Sequence, residues 1–290
     1  MKTVEPHVDA RRMWRKFKSG AMMTAAVLAT LLTLVPLFLV LGYLVKQGVN
    51  GINWAFFTRL PRPVGEPGGG MGNAVLGTLE VVGLASVLAV IVGVGTGIYL
   101  SEPGRNRSVA NGVRFAADVL MGVPSIVVGI FVYAVVVRPM GGFSALAGAI
   151  ALAVMMTPLV ARTTEQALSM VPAELRESAL ALGIPRWRTS LSVVARTAAR
   201  GITTGVLLAL ARIAGETAPL LFTAFGNQYW STSLRRPIAA LTVQVYTYAI
   251  SPFEDWHRQA WAGALVLTAM VLVVEGVVRS ISGRGLRTPR

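Results

Sequence analysis

The chain has 290 residues, 54% of them hydrophobic and 14% charged, with a net charge of +14. Soluble domains carry about 25% charged residues, so this composition, with a mean hydropathy of +0.62, excludes an ordinary soluble domain and implies an integral membrane protein. Cysteine is absent, which excludes disulfides and thiolate chemistry, and His7 and His257 belong to no cluster with metal-ligand spacing.

Residues 1–20 form a basic arm with Lys2, Arg11, Arg12, Arg15, Lys16 and Lys18, read as a topology signal in contact with anionic lipid. The first span is expected at about 21–45, with Pro36 as a tolerated kink. It is too long for a signal-peptide core and lacks a small-residue cleavage site, so it reads as a retained span. Residues 46–72 form a linker that ends in the Gly-rich stretch from Arg62 to Gly70. No Lys-Ser/Thr follows those glycines and no strand precedes them, so a phosphate cradle is unsupported.

The second span is expected at about 73–100. Gly93 and Gly97 make a small-xxx-small face for close helix packing. Glu80 lies one or two turns in, where an ionisable residue is a functional candidate or else faces a water-filled cavity. After a polar loop at 101–112, a third span is expected at about 113–137. Pro124 falls in its middle and is expected to bend it, either lining a pathway or as a plain structural kink. A tight turn from Arg138 to Gly142 leads to a fourth span at about 143–162, which carries Pro158. Arg162-Thr163-Thr164-Glu165 is expected to leave the membrane there.

The loop at 171–196 contains a short helix with clear ends. Pro172 suits its first position, and Glu174 and Glu177 suit the positive end of the helix dipole. Leu175, Ala179 and Leu182 share one face, Gly183 stands where a left-handed residue would close the helix, and Pro185 stops it. The physics alone leaves two readings open: a helix that docks a partner, or one that rests on lipid headgroups.

The fifth span is expected at about 201–225 and holds Ala211-Arg212-Ile213-Ala214-Gly215-Glu216-Thr217-Ala218-Pro219. Arg212 and Glu216 are four residues apart and would share a helix face and pair. A lone charge at mid-membrane costs roughly 2.5–3.5 kcal/mol, which pairing lowers. The pair is either structural or part of a polar path for an anion, with Arg212 as the cation the solute meets. Residues 226–258 lie outside the spans, and their aromatic-rich end reads as an interfacial or re-entrant helix. The sixth span is expected at about 259–279, with Glu275 near its exit, before a basic tail at 281–290.

Six spans place both termini on one side. With that side inside, the inner segments hold 19 Lys and Arg and the outer ones 7. This asymmetry predicts cytoplasmic termini and a cytoplasmic amphipathic loop, and it explains the net charge without nucleic acid. No Gly-x-x-x-x-Gly-Lys-Ser/Thr occurs, so any ATP chemistry must come from another subunit.

Glu177-Ser178-Ala179 followed by Gly183 resembles the EAA motif of ABC-importer permeases. Ser178 replaces the motif's first Ala, and Ala195-Arg196 stand where Leu-Pro closes it. Gly122-Val123-Pro124-Ser125, Thr157-Pro158 with Arg162-Thr163-Thr164-Glu165, and Gly215-Glu216-Thr217-Ala218-Pro219 with Leu220-Leu221-Phe222-Thr223 extend the likeness from about residue 70 to the end. Together they resemble phosphate ABC-importer permeases of the PstA kind.

The resemblance implies an all-α type I importer permease (MetI-like) fold. Six transmembrane helices would include a core over 73–280 and a cytoplasmic EAA coupling helix, in a bacterial cytoplasmic membrane. It implies a heterodimer with a second permease, two copies of an ABC ATPase that hold ATP and Mg, and an extracytoplasmic phosphate-binding protein. By family position, Arg162, Arg212, Glu216 and Thr217 would serve phosphate passage. Glu174, Glu177, Ser178, Ala179 and Gly183 would serve ATPase coupling. Permeases for molybdate, tungstate or sulfate share these motifs. A signalling scaffold that transports nothing would not need Arg212 and Glu216 inside the membrane.

Overall fold

The structure, a computed structural model, describes residues 7–63, 66, 68–102, 107–231 and 233–284. The expectations for Lys2, for residues 103–106 of the polar loop and for the tail beyond Arg284 fall outside these residues, as do Val64, Gly65 and Pro67 of the linker. Among the described residues the regular structure is entirely helical.

The first helix, α1 (His7–Gly48), is 42 residues long. The basic residues of the arm from Arg12 to Lys18 are turns of this same helix, so they do not form a separate segment. Pro36 lies inside α1 without ending it. Only the last turns of α1 are packed. Leu44 is buried, Tyr43 meets Trp261 edge-on at 5.2 Å, and the apolar stretch before them is bare.

A short helix, α2 (Trp54–Thr58), is capped by Asn53, whose side chain accepts from the Phe56 N–H at 2.8 Å. The core then forms around α3 (Gly72–Ser101) and the helix that pairs with it, α6 (Ala145–Ser169). On α3, Gly77, Val81, Ala85, Ala89, Gly93 and Gly97 recur every four residues and are all buried. A β-carbon on Gly93 would lie 2.8 Å from Val160, and one on Gly97 would lie 2.6 Å from Thr164. Lipid is as apolar as leucine, so helices in a membrane associate by close packing, which small residues permit. Gly205 meets Thr163 and Gly201 meets Ala167 in the same way, on a neighbouring face of α6.

The expected third span is two helices, α4 (Arg107–Gly122) and α5 (Ser125–Met140), which meet at 105°. Pro124 has no N–H and restricts Val123 before it, so the chain restarts as a new helix where a bend in one helix was expected. The fourth helix does not stop at 162. It runs through Pro158 to Ser169, so Arg162-Thr163-Thr164-Glu165 lies within α6.

Beyond the short helix α7 (Ala173–Ala181), α8 (Arg186–Thr197) turns by 72° into α9 (Ala199–Ala214). Without a proline at 195–196, the chain stays helical to Thr197. The expected fifth span is also broken: α9 stops at Ala214 and α10 (Ala218–Thr223) follows. Then come α11 (Leu241–Ala249), in the segment read as interfacial or re-entrant, and α12 (Glu254–Arg284). Among the described residues, four helices are long and apolar enough to cross a membrane, or up to six if each bent pair counts as one span.

The irregular chain between α10 and α11 is anchored by hydrogen bonds. The N–H groups of Ser144, Ala145 and Leu146 donate to the carbonyls of Thr223, Arg236 and Leu234. Thr78 Oγ1 accepts from the Leu241 N–H at 2.7 Å, and Asn73 Nδ2 donates to the Asn227 carbonyl at 2.7 Å. Non-helical backbone is tolerated in a membrane protein where its polar groups find such partners.

Candidate functional site

The residues anticipated above fall into three groups. The first surrounds α7. Pro172 is its N-cap rather than its first helical residue, and Glu174 sits in the first turn. Gly183 adopts a φ of +78°, the left-handed region that favours glycine. The Gly183 N–H donates to the Leu180 carbonyl at 2.9 Å and the Ile184 N–H to the Ala179 carbonyl at 3.2 Å, a Schellman closure. The expected apolar face is covered only at Ala179. Leu175 is exposed, and Leu182 is 81% exposed. Glu174, Glu177 and Ser178 face outward.

Two ties hold α7 to the body. Arg176 donates to the Leu168 carbonyl at 3.3 Å and lies 4.0 Å from Glu102. Ser190 on α8 donates to the same Glu102 carboxylate. Glu102, just past the end of α3, thus links the core to both sides of the Gly183 turn. Its sequence setting, a polar loop, gives no sign of this role, because its partners lie far along the chain.

The second group is a chain of four charges between α4 and α6. Glu165 Oε1 accepts from Arg114 Nε at 2.7 Å, and Oε2 accepts from Arg162 Nη1 at 2.7 Å. Arg162 Nε donates to Asp118 Oδ1 at 2.9 Å. Arg114 also reaches the Leu100 carbonyl at 3.2 Å and Asn111 at 3.0 Å. Arg162 was anticipated; Arg114, Asp118 and Glu165 as its companions were not. Glu165 stands three residues from Arg162 on the same helix, a spacing that could have paired them, whereas Asp118 and Arg114 join across 44 and 51 residues, which no local spacing announces.

The third group is Arg212, Glu216 and Thr217. The anticipated pair of Arg212 with Glu216 is not formed. The helix ends at Ala214 with Gly215 as its C-cap, so Glu216 is no longer four residues along the same helical face. Arg212 is exposed, and its guanidinium has no hydrogen bond or ion pair among the described residues. Thr242 donates to the Glu216 carbonyl at 3.1 Å, while the Glu216 carboxylate has no partner among those residues. Thr217 begins α10 as a half-buried N-cap. Glu80 and Glu275 are half-buried, without such partners among the described residues.

The three groups are separate, but their supports adjoin. Arg162 is on α6 directly before Thr163, against which Gly205 of α9 is packed, and Arg212 lies about two turns beyond Gly205. Glu165 is within one turn of Leu168, whose carbonyl holds the α7 arginine. A cleft of about 320 Å³ lined by Asn227, Gln228, Gln244 and Trp256 contains none of the anticipated residues.

Comparison with known proteins bears on this arrangement. Residues 89–284 match the family described as binding-protein-dependent transport system inner membrane component. The chain is 45% identical over 271 residues to the phosphate transport system permease protein PstA of Yersinia pestis, covering 93% of this chain and 92% of that one. It is 34% identical over 284 residues to PstA 1 of Mycobacterium tuberculosis (strain ATCC 25618 / H37Rv), covering 95% and 92%. Among solved structures, an inward-facing form of the MetNI methionine ABC transporter matches with a TM-score of 0.58 and 19% identity, over 72% of this chain and 94% of that one. The last likeness is one of fold alone.

Proposed function

The chain belongs to the family of binding-protein-dependent transport system inner membrane components, and on that premise we propose that it is a permease subunit of an ATP-driven phosphate importer. It is a multi-pass membrane protein of a transport system. The observation that carries the finer reading is Arg212. An exposed guanidinium without a partner among the described residues, on an apolar helix that ends two residues later, is a cation waiting for an anion. Guanidinium suits phosphate because it offers paired N–H donors to two oxygens. The names of the Yersinia pestis and Mycobacterium tuberculosis relatives support phosphate as the solute.

In this reading the chain forms half of the pathway and a second permease forms the other half, facing Arg212. Glu216 and Thr217 sit at the helix break beside Arg212 and complete its polar patch; Arg162 lies further along the path. An extracytoplasmic phosphate-binding protein delivers the solute. Two copies of an ABC ATPase hold ATP and Mg²⁺, and one of them receives α7 through Glu174, Glu177, Ser178 and the neighbouring exposed leucines. Ala179 and Gly183 keep α7 rigid and sharply ended. Closure of the ATPases moves α7 as a lever, and the ties from Arg176 and Ser190 to Glu102 pass that motion to α3. Both termini and α7 lie in the cytoplasm, by the charge asymmetry of the loops.

The test is co-purification with the ATPase and second permease, followed by ATP hydrolysis in the presence of the binding protein. Phosphate should stimulate hydrolysis and labelled phosphate should enter vesicles. No stimulation overturns the reading, and preferential uptake of molybdate, tungstate or sulfate changes the solute.

A further inference from the structure

Arg114 and Arg162 grip the same carboxylate, yet they are used differently. Arg114 spends its donors on three acceptors: Glu165, the Leu100 carbonyl and Asn111. It is a structural pin between α4 and the α3–α6 pair. Arg162 has two partners among the described residues. Glu165, whose side chain is 11% exposed, holds its Nη1. Asp118, 50% exposed, takes the Nε and Nη2 edge, with one close contact at 2.9 Å and one long contact at 3.5 Å. That edge offers two parallel donors, the arrangement that grips two oxygens of an oxyanion. Asp118 has no other partner among the described residues.

We propose that Asp118 is a displaceable counter-anion of Arg162, occupying the guanidinium edge that the transported oxyanion takes in turn. This rests on the phosphate reading above and deepens it. Glu165 keeps the guanidinium in place while the exchange occurs. The half-exposed Asp118 turns to water when displaced, at little cost, since exposed ion pairs contribute little. Its return expels the solute. Two arginines, one Asp and one Glu sum to no net charge, so the passing anion is met by a cation that is already neutralised. This keeps the anion from being held too tightly to leave. Asp118 is thus a positioning residue that sets how long the anion stays.

The test uses the whole complex, with ATPase and second permease, in phosphatidylcholine nanodiscs without the binding protein. The probe is labelled inorganic phosphate at equilibrium. Asp118→Asn should tighten phosphate retention about threefold, the size expected for losing a half-exposed ion pair. Transport turnover in vesicles should fall at the same time. Asp118→Glu should behave as wild type, and Arg162→Gln added to Asp118→Asn should abolish the gain. A merely structural Asp118 would weaken retention and lower thermal stability together. Unchanged or weaker retention in Asp118→Asn overturns the inference, as does a gain that survives Arg162→Gln. Competition of the gain by anionic lipid would assign the edge to headgroups and overturn it too. If wild type shows phosphate-stimulated hydrolysis while Asp118→Asn leaves retention unchanged, only this inference fails; if wild type shows no stimulation, the phosphate reading fails and this inference falls with it.

Discussion

Gly97 of α3 lies so close to Thr164 of α6 that a β-carbon on the glycine would sit 2.6 Å from the threonine β-carbon. The Ala161 carbonyl, on the same helix, is also only 2.8 Å away, so a backbone would have to move. Forcing a larger residue into a packed contact costs about 1–3 kcal/mol. Gly97→Val should therefore lower the unfolding temperature of the solubilised chain, while Gly95→Val, which meets nothing within 4 Å, should not. Equal temperatures for the two variants would mean that the helices do not approach this closely.

Glu165 joins two arginines, so its loss leaves two poorly exposed cations without their main partner. Breaking such a pair by removing one side costs about 3 kcal/mol. Glu165→Ala should destabilise the chain by about that much, and Arg114→Ala combined with it should cost less than the two changes added together. A double-mutant cycle on thermal stability reads the difference. Simple additivity would show that Arg114 and Glu165 are not joined in the membrane.

Leu182 is 81% exposed at the end of α7, so Leu182→Glu should change the chain's own stability by no more than about 0.5 kcal/mol. If α7 is the ATPase dock, the same substitution should sharply reduce co-purification with that subunit. Binding that survives intact would move the dock elsewhere.

Gly183 supplies a positive φ that closes α7. Gly183→Ala forces a side chain into that conformation at a cost of about 1 kcal/mol, loosening the helix end. ATP hydrolysis without solute should rise relative to transport, as the lever loses its rigid hold. The ratio of uptake to hydrolysis, measured on one vesicle preparation, decides it.

Arg212 has no partner to lose among the described residues, so Arg212→Gln should leave thermal stability within about 0.5 kcal/mol of wild type. Phosphate uptake should fall about tenfold or more, since a charge-assisted contact with the anion is removed. Arg212→Lys should recover only part, because an ammonium is a point charge without the guanidinium fork. Full uptake by Arg212→Gln would exclude this side chain from the path.

How much of this was legible in one dimension varies by element. The long apolar runs announce α1, α3 and α12, because a lipid environment demands unbroken apolar helix. The glycines at 93 and 97 announce a close helix contact, and the tertiary structure supplies Val160 and Thr164 as what they touch. Gly183 announces its own turn, since few other residues adopt that backbone. Pro124 was legible as a disturbance, but its size was not: a 105° change of direction depends on where α5 finds its packing against α10 and α6.

The charged residues divide along the same line. Local spacing put Arg212 with Glu216, and an uninterrupted helix would have joined them. The chain breaks at Gly215, and the pair is lost. Arg162 keeps its neighbour Glu165, and α4 folds back along α6 to bring Asp118 to it, with Arg114 meeting the same Glu165. Residue type and period decide helicity, membrane affinity and where a helix can end, because those are local energies of backbone and solvent. Which arginine is neutralised and which is left open depends on contacts across about 50 residues. Helix packing sets such distances, so only the folded chain could give Arg162 its second carboxylate, Asp118, and leave Arg212 without one among the described residues.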